Sequence, residues 1–372
     1  MKALLTLDSV LKTINQPLGE EDFLEPLELF LNDLKNEASL NTFGSIGIRQ
    51  NIINKLQTRA KLYALVNQES LPPPSMPLVI TGLPRSGTTF LLDLLHCDTR
   101  YRGPLAWEIF YPLPLATTKK QTRARIRRTN FDFRMIKVVV PNFDSIHPLH
   151  AEHPEECQLI TSLDLRSIHF AYMARVPNYE NYIKTCNFSS AMLWHSRFLS
   201  ALERNNKPDT WLLKDPWHIQ HIPEFLSAYP KACFVFTHRN PIEAIPSISS
   251  LSAGIRFGLS NHVDKNEIGL NSVSFWSHAM EKYLMDRSQI PENQIFDINF
   301  TDLVSDPMRQ MRLMYSHFGL ELTEENQDHM DRFLTESVTN KTPPHKYTLE
   351  EFGLTEKQVR ERFKEYITEF DL

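Results

Sequence analysis

The chain has 372 residues, 41% of them hydrophobic and 23% charged, with 40 basic side chains against 45 acidic ones. This composition places it among ordinary globular proteins with enough apolar material for a sizeable core. A formal net charge of −5 argues against a protein whose main partner is nucleic acid, because neutralising phosphates needs a basic surface.

Met1-Lys2-Ala3-Leu4-Leu5 starts like a signal peptide, but Asp8, Lys12 and Asn15 interrupt any apolar stretch. No run along the chain approaches the ~20 apolar residues that cross a bilayer. A cytoplasmic location without a transmembrane segment is the simplest expectation. From residue 20 to 70, Phe23, Leu24, Leu27, Phe30, Leu31 and Leu34, then Ile48, Ile52, Leu56, Leu62 and Leu65, recur at three- and four-residue steps and predict helices. The proline-rich stretch Leu71 to Pro77 cannot continue them and reads as a stiff connector. Leu78-Val79-Ile80-Thr81 is a short apolar run suited to a buried parallel strand. A turn from Gly82 to Gly87 follows, and helical spacing resumes from Thr88 to Leu95. Three later runs, Trp211–Lys214, Cys233–Thr237 and Ile295–Ile298, read as companion strands separated by helical segments. From about residue 302 the pattern is helical again, broken at Thr342-Pro343-Pro344. The expectation is an α/β fold, a P-loop-like parallel sheet flanked by helices with helical N-terminal and C-terminal extensions. Residues 1–71 are expected to pack as an extension on one domain spanning 78–372. Cys97, Cys157, Cys186 and Cys233 show no Cys-x-x-Cys spacing and are too few for a disulfide scaffold, so reduced thiols are expected.

The first motif that carries chemistry is the strand–turn–helix around Gly82 and Gly87. Such a turn aims backbone N–H groups and a helix N-terminus at one point, which suits a phosphate. The glycine spacing is that of a nucleotide-binding P-loop. That loop, however, has a lysine and a Ser/Thr after its second glycine. Here Thr88 and Thr89 follow, and the cation sits earlier, at Arg85.

At Pro84-Arg85-Ser86-Gly87-Thr88-Thr89 the chain resembles the PAPS-dependent sulfotransferases, which use 3′-phosphoadenosine 5′-phosphosulfate (PAPS). The resemblance is closer to the bacterial branch similar to tyrosylprotein sulfotransferases. This hexapeptide resembles the family's 5′-phosphosulfate loop. Phe234 to Pro241, a strand ending in Arg239, resembles its 3′-phosphate site, with Ser247 eight residues on and nearly in helical phase. Leu105-Ala106-Trp107-Glu108, His153-Pro154-Glu155-Glu156, Trp211 to Pro216 and the C-terminal His345-Lys346-Tyr347, Phe352-Gly353-Leu354 and Phe363 to Tyr366 extend the likeness over residues 78 to 366. Asn240 departs from the family's usual Asp, and Phe300 from a usual Tyr; the second departure puts one hydroxyl in doubt.

The resemblance implies an enzyme that passes a sulfuryl group from PAPS to an acceptor, most simply a hydroxyl on a small molecule or peptide, leaving adenosine 3′,5′-bisphosphate. Arg85, Ser86, Gly87, Thr88 and Thr89 would cradle the 5′ end, and Arg239 with Ser247 the 3′-phosphate. Arginine suits the second role because its planar fork donates two hydrogen bonds to one phosphate. Arg85 and Lys214 would face the bridging oxygen where negative charge builds as sulfur departs. Glu108 is the first choice of general base, with His147, Glu155 and Glu156 in reserve. A bare sequence reading leaves Lys214 as a solvated turn residue and Glu108 as a favourable acid at a helix start.

His147, His150 and His153 with Glu156 recur every three residues. Pro148 and Pro154 break the helix that would align them, and no metal is expected. The basic run Lys119 to Lys137 reads first as a solvated helix face, and alternatively as a field that attracts an anionic acceptor. Trp107, Trp217 and Trp276 read as core. Two other functions compete. A P-loop kinase would need the missing lysine and a magnesium carboxylate, for which Asp297 is a poor candidate. A nucleotide-binding protein without turnover would have no need of Glu108 and Lys214.

Overall fold

All four apolar runs form strands, and a two-residue strand joins them at one edge. The structure, a computed structural model, describes residues 4–140, 149–339 and 347–372. The strands are β1 (Pro77–Gly82), β2 (Tyr101–Arg102), β3 (Thr210–Lys214), β4 (Cys233–His238) and β5 (Ile295–Asn299). They pair in parallel in the order β2-β3-β1-β4-β5. The α/β expectation therefore holds.

By density of contacts the chain divides into two units. One comprises Ser75–Gly103, Pro208–Ser250 and Lys265–Leu372, and holds the whole sheet. Alternation along the strands gives this sheet two different faces. Leu78, Ile80, Leu212, Val235 and Ile298 join a core with Leu91, Leu95, Met311 and Tyr315 from the helices Thr88–Leu95 and Pro307–His317. The opposite face is aromatic. Phe234 meets Phe225 with ring centroids 5.4 Å apart, and Phe236 meets Tyr283 at 4.7 Å. Trp217 and Trp276 are buried, as core residues should be.

β1 sends its chain towards β2 and β3, whereas its other neighbour, β4, sends its chain to β5. The carboxyl ends of β1 and β4 therefore flank a topological switch point, where open α/β sheets bind ligands. Close approach of these two strand ends depends on Gly82. Its φ is +145°, and an added Cβ would lie 2.3 Å from the Thr237 carbonyl oxygen and 2.8 Å from its hydroxyl. Gly82→Ala is expected to destabilise the fold by about 2–3 kcal/mol, from backbone strain and overpacking together. Chemical denaturation of the variant measures this directly, as a lower midpoint at unchanged slope.

The other unit comprises Met1–Pro74, Pro104–Lys207 and Leu251–Asp264. It is helical. The expected helices between 20 and 70 appear as Leu24–Asn36 and Thr42–Gln68, with a break where Asn41 caps the second through its side chain. Phe30, Phe170 and Tyr179 pack at centroid distances of 4.9–6.2 Å. Arg59 is fully buried between the rings of Phe23 and Trp194 and is paired with Asp164 at 2.8 Å. It also donates to the carbonyls of Leu18 and Glu20, which satisfies a charge that would otherwise be costly to bury.

Candidate active site

The loop after β1 is held by its own residues. Arg85 takes a positive φ of 69°, and Gly87, at φ 91°, precedes the helix Thr88–Leu95 without any side-chain cap. The first-turn N–H groups of that helix thus have no capping side chain, as an anion site requires. The Ser86 hydroxyl is buried, donates to the Leu83 carbonyl and meets the Thr237 hydroxyl at 2.5 Å. It pins the loop to β4, so what Ser86 can offer a ligand is its backbone amide. Thr88 is buried and Thr89 exposed. The Thr89 hydroxyl accepts a 3.2 Å hydrogen bond from Nζ of Lys214, which sits 2% exposed at the carboxyl end of β3. β3 pairs Lys214 with Ile80 of β1, and this register brings the lysine to the loop.

The residues that follow β4 meet the same loop. An Arg239 Nη donates to the Arg85 carbonyl at 2.8 Å, and Nε of Arg85 donates to the Ser247 hydroxyl at 3.1 Å. Arg85, Arg239 and Ser247 are thus one connected group, although 162 positions separate Arg85 from Ser247. Two further residues aim Arg239. Glu243, one helical turn on, accepts from its Nε and Nη at 3.1 and 3.0 Å, and the Phe300 ring lies 4.1 Å from the guanidinium carbon. Phe300 also lies against Gly87, where an added Cβ would be 3.0 Å from the ring. The residue that departs from the family's Tyr therefore supports both halves of the group through its face. Asn240, the other departure, accepts the Ile242 N–H at the start of the helix Pro241–Leu259, a capping bond that an Asp would make equally well.

Behind Arg239 stands a polar chain, buried at His238 and Tyr366 and open to solvent at Asp297, that sequence reasoning missed. His238 Nε2 lies 2.8 Å from Asp297, and Nδ1 lies 3.2 Å from the Tyr366 hydroxyl, which is itself hydrogen-bonded to the Arg239 backbone. Burial lowers the imidazole's pKa, so the ring is neutral near pH 7, and its Nε2–H tautomer satisfies both neighbours. Burial pushes the Asp297 carboxyl up, but hydrogen bonds from His238 and Arg287 outweigh that and hold it at about 2. A depressed carboxyl contributes stability that is present above about pH 4 and lost as pH falls towards 2. Allowing for its partial exposure, this is about 1–2 kcal/mol. Asp297→Asn is expected to flatten the acid limb of stability in that window, read from urea midpoints between pH 2 and 5.

Glu108 belongs to the helical unit. It lies at the third position of the short helix Ala106–Phe110, is 7% exposed, and accepts the Leu105 N–H at 3.0 Å. The acidic loop lies beside it. Ala106 and Trp107 donate to the carbonyls of His153 and Ala151, and Glu155 donates to that of Pro104. The structure thus brings the first-choice base and two of its reserves, Glu155 and Glu156, onto neighbouring backbone. His147 lies outside the described residues, as does His345-Lys346. His150 and His153 are exposed, with ring centroids 5.7 Å apart.

Comparisons with known proteins agree in kind. A model of the sulfotransferase family matches residues 77–324. An omega-hydroxy-beta-dihydromenaquinone-9 sulfotransferase, Stf3, of Mycobacterium bovis is 24% identical over 300 residues, covering 78% of this chain and 74% of the relative. The crystal structure of sulfotransferase STF9 from Mycobacterium avium superposes with a TM-score of 0.88 at 26% identity, covering 99% of this chain and 97% of the other. That of STF1 from Mycobacterium tuberculosis H37Rv gives 0.82 at 28% identity, covering 98% and 99%.

Proposed function

The chain belongs to the sulfotransferase family and is an enzyme of that class, and on this premise we propose that it moves a sulfuryl group from PAPS to an acceptor hydroxyl. The observation that carries this reading is the bonded group Arg85–Ser247 with Arg239–Arg85, which joins a phosphate loop to a second cation. A donor with phosphates at both ends of one adenosine is what such a group is suited to hold.

In this reading the loop amides from Arg85 to Thr89 take the 5′-phosphosulfate, and Arg239 with Ser247 takes the 3′-phosphate. The acceptor oxygen attacks sulfur in line. A new S–O bond forms as the bond from sulfur to the 5′-phosphate oxygen breaks, and adenosine 3′,5′-bisphosphate leaves. Lys214 and Arg85 stabilise the charge that gathers on the departing oxygen. Glu108 accepts the acceptor's proton. The mycobacterial relative is named for a hydroxylated menaquinone, so an alcohol on an apolar small molecule is the first acceptor class to try.

The test is incubation with PAPS and a panel of apolar alcohols, following adenosine 3′,5′-bisphosphate release and a mass gain of one SO3 on the acceptor. Both are expected without added metal. Phosphoryl transfer from magnesium ATP, with no release from PAPS, would contradict the proposal.

A further inference from the structure

Three helix ends meet in the helical unit, and several apolar side chains beside the meeting points are exposed. The helices are Thr42–Gln68 at its start, Lys119–Val139 at its end and Pro241–Leu259 at its end. The contacts are close. Asn41 donates to the carbonyls of Gly258 and Leu259 at 3.0 Å each. An added Cβ on Gly44 would lie 2.0 Å from the Leu259 oxygen, and one on Gly258 would lie 2.4 Å from the Val139 oxygen.

Next to these glycine contacts stand side chains that a globular surface ordinarily hides. Phe43 is 70% exposed, Ile46 60%, Phe257 54% and Val138 73%, each within two residues of a contact point. Met135 and Phe131 extend the patch back along the helix Lys119–Val139, at 48% and 54%. Other exposed hydrophobic residues occur elsewhere on the chain, but single ones are normal, whereas a contiguous patch marks a site of interaction.

The same helix carries charge on the same side. Lys120, Arg127, Phe131, Arg134 and Val138 follow the step that returns to one helical face, and all five are exposed. Over its length the helix holds eight basic residues and one acid, Asp132. Arg125 is turned inward, donating to the carbonyl of Pro112, and Arg128 is paired with Asp132 at 3.6 Å. Arg127 and Arg134 are exposed on either side of Phe131, and Lys120 lies further back along the same face.

We propose that this face docks on an anionic phospholipid bilayer, its apolar tips entering the headgroup boundary and its basic residues meeting lipid phosphates. Apolar tips and cations sharing one helical face are the composition of a helix that lies in a membrane interface. A second copy of the chain is a poorer occupant, because a two-fold contact would set this basic helix against its own charge. No helix among the described residues is long and apolar enough to cross a membrane, so the contact is peripheral. The proposal rests on this surface alone and is independent of the donor and acceptor assigned above.

The test is co-sedimentation of the full chain with vesicles. The expected result is binding to an equimolar mixture of phosphatidylglycerol and phosphatidylcholine, weakening as salt rises, with little binding to phosphatidylcholine alone. Arg127→Glu with Arg134→Glu should cut partitioning about tenfold or more, and Phe43→Ser with Phe257→Ser by a similar factor, at unchanged circular dichroism. Should that pair fail to fold, Val138→Ser on the helix Lys119–Val139 is expected to reduce binding in the same direction. The proposal is overturned if the parent stays in the supernatant with both vesicle types. It is overturned equally if the serine variants sediment like the parent, or if light scattering finds a dimer that they disperse.

Discussion

Glu108→Gln should lower kcat by about 10²- to 10⁴-fold while leaving the affinity for adenosine 3′,5′-bisphosphate unchanged, because the glutamine keeps the structural bond and removes the proposed base. The carboxylate accepts the Leu105 N–H at 3.0 Å, and the amide oxygen of a glutamine accepts the same bond, so the helix start survives. What the substitution deletes is the capacity, proposed for Glu108, to take the acceptor's proton. Steady-state rates across pH, with thermal melts as a control, separate the two roles. The rise in rate with pH that reports a carboxylate base should vanish in the variant. A kcat within about fivefold of the parent would move the role to Glu155 or Glu156 on the neighbouring backbone.

Lys214→Met is the second large effect. The ammonium is 2% exposed, held 3.2 Å from the Thr89 hydroxyl, and methionine fills much of its volume without its charge. Loss of a fixed cation at a developing oxyanion costs about 10²- to 10³-fold in kcat. Binding of the spent bisphosphate should change far less, because the charge at issue develops only as the sulfur–oxygen bond breaks. Single-turnover rates set against calorimetric affinities give that split. An equal loss in both would make Lys214 a binding residue. Lys214→Arg is not expected to rescue, since the position is 2% exposed and a planar guanidinium is larger than the compact ammonium it would replace.

What the sequence made legible follows the range of the interactions involved. β1, β3, β4 and β5 were readable because buried parallel strands are short apolar runs. The two residues of β2 carry no such signal; Tyr101 and Arg102 become a strand only because β3 offers them an edge. The break between Asn36 and Thr42 was hidden inside a continuous helical pattern, although Asn41 three residues before Gly44 was the local cue. In the site, the Arg239–Glu243 pair was open to inspection as an i, i+4 step. The chain from Asp297 through His238 to Tyr366 was not, since its members lie 59 and 128 positions apart and only the fold brings them together. Ser86 shows the converse. Its place in the motif suggested a part in the phosphate cradle, and the structure uses its hydroxyl to tie the loop to Thr237.

Phe300 carries the same lesson towards function. Read as a missing hydroxyl, it looked like a loss, yet its ring sits 4.1 Å from the Arg239 guanidinium and packs on Gly87. A cation–π contact of this kind fixes the orientation of the guanidinium without competing for its hydrogen bonds. The face of the side chain matters here, and a one-letter comparison of hydroxyl against no hydroxyl does not show it.

The central claim is that two anion sites grip the two phosphate-bearing ends of one nucleotide. Calorimetric titration of adenosine 3′,5′-bisphosphate and of adenosine 5′-monophosphate, against the parent chain and against Arg239→Ala, tests it most directly. The account predicts that the parent prefers the bisphosphate by roughly 10²-fold or more, and that Arg239→Ala erases the preference while still binding the monophosphate. Equal affinities in the parent, or a preference that survives the loss of Arg239, would contradict it.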